Sequence, residues 1–341
     1  MKMMIAGAWR WDIYQKACAD ALKSMDVSVV GFSWGDEFNS VLGRFEAHTL
    51  IPLFKIRRLR RMLVNSCRNN NPDFLLIWGC SWLDNATLLD IKMQGVKLIS
   101  YHNDDPFGSR DKSIRYILHR NIWRNFKKNL SIYDYNFVYR NKNIVDYQRL
   151  GIRHVELLLS YFIPKRNFPT NSVKNQCFDG VFIGHYEDDE RANFISCCRE
   201  AGIKIELYGK LWDRCEGFGN QFKNIRPLLG SDYNEKISEA KFALCFFSKI
   251  NSDDYTRRVF EIPAAGTVLV APRTKMMESL FKDGDEAILF DSIEHGIDRI
   301  RHLLENPNEL ERIAGNGLVR VQEYSVEKQM RHLVQKITST N

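Results

Sequence analysis

The residues best suited to chemistry lie in one stretch, Ser252-Asp-Asp-Tyr-Thr-Arg-Arg-Val-Phe-Glu-Ile-Pro-Ala-Ala-Gly-Thr-Val-Leu-Val-Ala271. The pattern predicts a helix over Thr256–Ala265, with its free N–H groups and positive dipole end open to a ligand. Arg257 and Arg258 fall in its first turn. Cations there oppose the dipole, so local stability does not ask for them; an anion such as a diphosphate does. Glu261 follows Arg257 by four residues, on the same helical face. A carboxylate in that place can accept two hydroxyl hydrogen bonds, as from a ribose. Ala264-Ala265-Gly266 lets backbone approach closely before the next strand. A plainer arrangement uses the same residues: a helical ion pair between either arginine and Glu261, with Asp254 or Thr256 as N-cap.

A second group is Ser100-Tyr-His-Asn-Asp-Asp-Pro-Phe107, directly after an apolar run. A histidine beside acids, His102 with Asp104 or Asp105, could serve as a base or stabilise charge. The alternative is a tight turn capped by Asn and Asp before Pro106. Asp12, at the turn after the first strand and near Gly7, is a further candidate base, or simply an acid in a helix's first turn. Glu187-Asp-Asp-Glu190 and Asp253-Asp254 invite a metal reading. An acidic helix start accounts for the first cluster, and no metal is expected.

The surrounding elements place these residues. Apolar runs at Met3–Ala6, Val27–Phe32, Phe74–Trp78, Val96–Tyr101 and Tyr135–Tyr139 read as strands with helical patterns between, the first over Trp9–Met25. Gly180–Gly184, Ile203–Tyr208, Phe242–Phe247, Thr267–Ala271 and Glu286–Phe290 repeat the scheme, and three helical stretches close the chain from Ile293 to Ile337. Strands separated by crossovers of this length imply parallel sheets with helices on both faces. Between the halves, Pro164–Gln176 is polar with two prolines and reads as a linker. The expected architecture is α/β, with two Rossmann-like domains at 1–165 and 177–341. Open sheets of this kind bind ligands beyond the carboxyl ends of their strands.

Composition narrows the class. The 341 residues carry a net charge of +7, with 44% apolar and 27% charged residues, a globular balance too long for one ordinary domain. No run reaches the length of a spanning helix, and the start lacks a signal peptide's apolar core. A cytoplasmic protein is expected. The eight cysteines form no Cys-x-x-Cys pair, which argues for reduced thiols rather than a zinc or disulfide framework. Lys55-Ile-Arg-Arg-Leu-Arg-Arg-Met-Leu63 is basic and amphipathic. It could lie on an anionic membrane or pack with a solvated basic face; nucleic acid would use the same charges. Motifs for metal binding, serine hydrolysis or P-loop nucleotide binding do not occur.

The Thr256-Arg-Arg-Val-Phe-Glu-Ile-Pro-Ala-Ala-Gly266 segment resembles the donor-binding signature of GT-B glycosyltransferases, most closely the CgeB-related group. Asp253 and Glu261, with seven residues between them, match a paired-acid spacing of that fold, Asp standing for the more usual first Glu. Gly180–Gly184 with Arg191, Leu207-Tyr-Gly-Lys-Leu-Trp212, Phe281–Phe290 and Ile313-Ala-Gly-Asn-Gly317 resemble other landmarks, covering 178–337. The N-terminal half matches more loosely.

The resemblance implies the GT-B fold, two domains facing across a cleft, with the last helices crossing back to the N-terminal domain. It implies a nucleotide-sugar donor, UDP- or GDP-linked, as substrate, and no cofactor. The donor residues would be Gly184, Arg191, Tyr208, Gly209, Asp253, Thr256, Arg257, Arg258, Glu261 and Gly266. Glu261 would hold the ribose, and the arginines the leaving diphosphate. His102, Asp104, Asp105 and Asp12 are the catalytic candidates. Transfer to a hydroxyl acceptor, a glycan or lipid-linked glycan, in surface polysaccharide synthesis is the expected function, with peripheral contact to an anionic membrane. Competing readings are a nucleotide-sugar 2-epimerase, a DNA-base glycosyltransferase and a non-catalytic coat or assembly protein.

Overall fold

The computed structural model describes residues 1–108, 121–176, 178–217, 222–249 and 251–339. The first sheet contains β1 (Lys2–Gly7), β2 (Ser28–Ser33), β3 (Phe74–Trp78), β4 (Lys97–His102), β5 (Tyr135–Val138) and β6 (Val155–Leu157). The second contains β7 (Phe178–Ile183), β8 (Ile205–Tyr208), β9 (Ala240–Leu244), β10 (Val268–Pro272) and β11 (Ile288–Phe290). All pairings are parallel. Strand order is β2-β1-β3-β4-β5-β6 in one sheet and β11-β10-β9-β7-β8 in the other.

Two compact units hold these sheets: Met1–Leu159, Ile250–Ser252 and Val326–Asn341 make the first, and Ser160–Lys249 with Asp253–Ser325 the second. Every residue of β3 is buried, as expected of a strand covered by helices on both faces. Helix Lys55–Asn70 illustrates how the sequence supplies that cover. Ile56, Leu59, Leu63 and Cys67 recur at helical spacing and are its buried residues. The helix stops where Asn71 turns left-handed, φ 44°, ahead of Pro72.

Pro164–Gln176 is not a free linker. Its polar groups are used by the second unit: Asn234 Nδ2 donates to the Phe168 carbonyl at 2.8 Å, and the Thr170 N–H to Ser238 Oγ at 3.4 Å. The polar, proline-bearing composition that suggested a linker instead reflects backbone satisfied by side chains rather than by a ladder. The compact units divide at Leu159 and Ser160, earlier than the linker. The closing helix, Val326–Thr338, belongs to the first unit. It packs on helix Ala17–Lys23, and Tyr135 Oη donates to the Ile337 carbonyl at 3.0 Å.

Candidate functional site

In the second sheet β7 lies between β8 and β9, so the chain leaves β7 and β9 in opposite directions and opens a crevice at their carboxyl ends. Gly184 and His185 follow β7, Gly209 and Lys210 follow β8, and Cys245 follows β9. Two turns meet there with no room for a side chain. A Cβ on Gly209, whose φ is +155°, would sit 1.7 Å from the Gly184 carbonyl oxygen. Trp212 Nε1 donates to that same oxygen at 2.9 Å. Gly184 and Gly209 thus fix the floor of the crevice through a backbone approach only glycine permits.

Helix Arg258–Ala264 starts at this edge. Arg257 Nε donates to Glu261 Oε1 at 2.7 Å, and Tyr233 Oη donates to Glu261 Oε2 at 2.8 Å. The helical ion pair that the spacing allowed therefore forms, and Arg257 also stacks 5.0 Å from the Tyr161 ring centre. Glu261 is only 7% exposed. Each carboxylate oxygen keeps a further lone pair, so acceptor capacity remains. Burial, then the Glu261 carboxylate, push the Tyr233 phenol well above its ordinary value, keeping it a donor. Thr256 Oγ1 lies 3.4 Å from the buried Cys245 thiol.

Arg258 has different surroundings. Burial first, then the fields of Arg258 and Lys210, lower the pKa of His185. Arg258 and Lys210 thus place a positive field on His185 at the carboxyl end of β7. Tyr233 and His185 were not singled out from sequence. Tyr233 sits in helix Ser231–Ser238, which lacks a broad apolar stripe, and His185 directly follows Gly184. A histidine after a glycine at the end of a predicted strand was the available signal.

Other expected donor residues take structural roles. The Arg191 guanidinium is 3% exposed, donates to both carboxylate oxygens of Asp189 at 2.7 Å, and reaches the His185 carbonyl at 2.6 Å. It ties down the loop after β7. Gly266 also serves the fold. It lies at the far end of the helix from Arg258, before the amino end of β10, with φ +78° and its Cβ position 3.2 Å from Pro169; its freedom serves the turn. Tyr208 Oη donates to Glu206 Oε2 at 2.5 Å on an exposed strand face. The Asp253 N–H donates to the Ser248 carbonyl at 2.9 Å.

The acidic run after β7 is also engaged. Asp189 pairs with Arg191, Glu187 accepts from Ser248 Oγ at 2.9 Å, and Glu190 pairs with Lys249 at 2.9 Å. A depression of about 750 Å³ in this unit is lined by Phe178, Arg199, Ile203, Ile205, Lys236 and Glu239. It opens at the amino ends of β7 and β8, the opposite edge from Arg258 and Glu261, and so is not this site.

The catalytic candidates lie in the first unit. His102 ends β4 with both ring nitrogens buried and without a hydrogen-bond partner among the described residues. Trp123 and Phe126 pack edge-on against it, ring centres 4.7 and 4.1 Å away. Burial pushes its pKa down to about 3, so in this conformation it is a neutral core ring rather than an accessible base. Asp105 is buried and accepts from Lys142 Nζ at 2.6 Å, Asn143 Nδ2 at 2.7 Å and the Phe107 N–H at 2.9 Å. Burial alone would raise its carboxyl; those bonds outweigh it and hold it below its ordinary value. Asp105 is thus the turn cap that the sequence also permitted. Asp12 is 71% exposed and pairs with Lys16 at 3.5 Å, an acid in a first helical turn. Asp104 is exposed in the turn after β4.

Against this geometry, residues 191–335 match the family model described as "Glycosyl transferase-like". No curated protein matches the sequence. Among solved structures, sucrose-phosphate synthase from Thermosynechococcus elongatus superposes with a TM-score of 0.73 at 11% identity, covering 100% of both chains. A glycosyltransferase from Rickettsia africae gives 0.67 at 10% identity, over 100% of this chain and 99% of its own. Anabaena HepE in complex with UDP-glucose gives 0.65 at 12% identity, over 99% and 100%. At these identities the likeness shows the fold. The family-model match spans fewer than half of the residues, 191–335, and the whole chain has the GT-B fold of two Rossmann-like α/β domains.

Proposed function

We propose that this protein transfers a sugar from a nucleoside diphosphate sugar, UDP- or GDP-linked, to a hydroxyl acceptor of glycan or lipid-linked glycan type in surface polysaccharide synthesis. The observation that carries this reading is the grouping of Arg258, Lys210, His185 and Glu261 at the carboxyl edge of the second sheet, inside a glycosyltransferase domain. HepE, of like fold, was solved with UDP-glucose, which supports a uridine nucleotide as the first to test. The spacing of Asp253 and Glu261 within the Thr256–Gly266 signature supports the finer kinship with the CgeB-related group.

Glu261, pre-oriented by Arg257 and Tyr233, would accept the ribose hydroxyls. Arg258 and Lys210 would hold the diphosphate. As transfer proceeds, the bond from the anomeric carbon to the diphosphate oxygen breaks and the acceptor oxygen bonds that carbon. Negative charge then grows on the diphosphate, where fixed cations stabilise it most. The acceptor hydroxyl's proton goes to a base, for which the exposed Asp104 is the first candidate.

Donor turnover tests the reading. Purified protein incubated with UDP- and GDP-sugars and a panel of glycan acceptors should release nucleoside diphosphate in proportion to a new glycoside, and Arg258→Ala should lose the activity. Isomerisation of the donor without any acceptor would replace transfer by epimerisation. A folded protein that turns over no donor would reject the proposal.

A further inference from the structure

Seven of the seventeen exposed large apolar residues, among those described, fall within 41–62: Val41, Leu42, Phe45, Ile51, Leu53, Phe54 and Met62. Exposure runs from 39% at Met62 to 77% at Val41, with Phe54 at 62%. On helix Val41–Thr49, residues 41, 42 and 45 share one face while Gly43 and Glu46 turn inward. The same stretch, 41–63, holds six Lys or Arg (Arg44, Lys55, Arg57, Arg58, Arg60, Arg61) against one carboxylate, Glu46. Apolar residues so concentrated on a surface mark an interaction site.

Neighbouring carboxylates pair with three of the six. Glu37 pairs with Lys55 at 3.2 Å and reaches Arg58 at 4.0 Å, and Asp84 pairs with Arg60. Arg44, Arg57 and Arg61 are exposed, with no ion pair to any described acid. Glu46 itself is fully buried. Its Oε1 accepts from the backbone N–H groups of Phe54 and Lys55 at 3.0 and 2.9 Å, and Oε2 from that of Ile56 at 2.8 Å. The carboxylate therefore caps the start of helix Lys55–Asn70 and clamps the loop before it. Leu53 and Phe54 are held outward by a built turn, not left there by slack chain. The stretch begins after the carboxyl end of β2, and the helix runs back towards the amino end of β3. The patch thus occupies the carboxyl edge of the first sheet, where open α/β sheets receive ligands.

We propose that this face docks on an anionic lipid surface, with Phe45, Leu53 and Phe54 entering the headgroup region and Arg44, Arg57 and Arg61 meeting lipid phosphates. Charge complementarity selects a polyanion, and the exposed aliphatic and aromatic side chains beside the arginines select a bilayer over nucleic acid, whose backbone offers them nothing to enter. The inference stands apart from the transfer reaction, since it concerns adsorption alone.

Cosedimentation of the whole chain with phosphatidylcholine vesicles, and with equal mixtures of phosphatidylcholine and phosphatidylglycerol, tests it. Binding to the mixed vesicles only, weakened by salt, is expected. Arg57→Gln with Arg61→Gln should weaken it about tenfold or more, at roughly 1 kcal/mol per basic residue near such a surface. Leu53→Ser with Phe54→Ser should weaken it even at low salt. Both pairs are exposed, so unchanged melting temperatures are the control for folding. Equal binding to neutral and anionic vesicles, or undiminished binding of both double variants, would overturn the proposal. So would binding to duplex DNA but not to vesicles, with Leu53→Ser and Phe54→Ser having no effect.

Discussion

Arg257 and Arg258 are adjacent in sequence but differ in what holds them. Arg257 is committed to Glu261 and to the Tyr161 ring; Arg258 contributes to the field on His185. Arg258→Ala is expected to weaken nucleoside diphosphate binding by about 1.5–3 kcal/mol, the worth of a charged hydrogen bond. Arg257→Ala should weaken binding and also lower the melting temperature, because Glu261 is left buried with one partner fewer. An unchanged melting temperature in Arg257→Ala would contradict that commitment. His102 gives a proton-linked prediction. Its pKa falls from 6.5 to about 3 on folding, so between those values the unfolded chain binds a proton that the native chain refuses. That contribution is intact above pH 6.5 and is lost as pH falls towards 3, at up to about 1.4 kcal/mol per pH unit. Denaturant titrations at several pH values should show a shallower acid loss in His102→Phe than in the wild type. A parallel loss would show that the ring is not buried in solution. The sequence put His102 at a strand end, which is where it lies, but could not show that Trp123 and Phe126, more than twenty residues on, close over it.

At the scale of elements, the long periodic segments were legible and the short ones were not. Helix Lys55–Asn70 declares itself by a regular apolar stripe. Strand β6 has three residues, all half-buried, and helix Ser231–Ser238 buries only one large aliphatic residue, Ile237; neither shows a period. The Arg257–Glu261 pair was legible because residue type and spacing carried it, whereas the parts played by Arg191 and Gly266 depend on loop contacts no spacing encodes. The Glu46 cap belongs to this scale as well, joining one helix to the start of the next through N–H groups eight to ten residues on. Burial alone would raise its carboxyl, but the backbone N–H groups it accepts from, Ile56, Lys55 and Phe54 foremost, outweigh this and lower it. Its stabilisation is therefore present above the ordinary carboxylate value and lost as pH falls through the lowered one. Glu46→Ala should cost about 1–3 kcal/mol in a denaturant melt, since buried donors lose their acceptor, and should also weaken the vesicle binding proposed above. An unchanged melt would remove the cap from the account.

At the scale of the whole molecule, each sheet's carboxyl edge carries a different kind of surface. The first presents the apolar and arginine-rich face after β2; the second presents the Gly184–Gly209 floor with Arg258 and Glu261. The first unit is completed by the chain's last helix, Val326–Thr338, which buries Met330, Leu333 and Ile337, so both ends of the sequence contribute to one core. Among the described residues no helix is long and apolar enough to cross a membrane. The central claim is that the second unit binds a nucleoside diphosphate through Glu261 and Arg258. Calorimetric titration of UDP and GDP into the wild type, Glu261→Ala and Arg258→Ala tests it most directly. Saturable binding of one nucleotide, weakened about tenfold or more in each variant, is the predicted result, each substitution removing a charged hydrogen-bonding group. Binding of equal strength in all three proteins, or of neither nucleotide to a folded wild type, would contradict it.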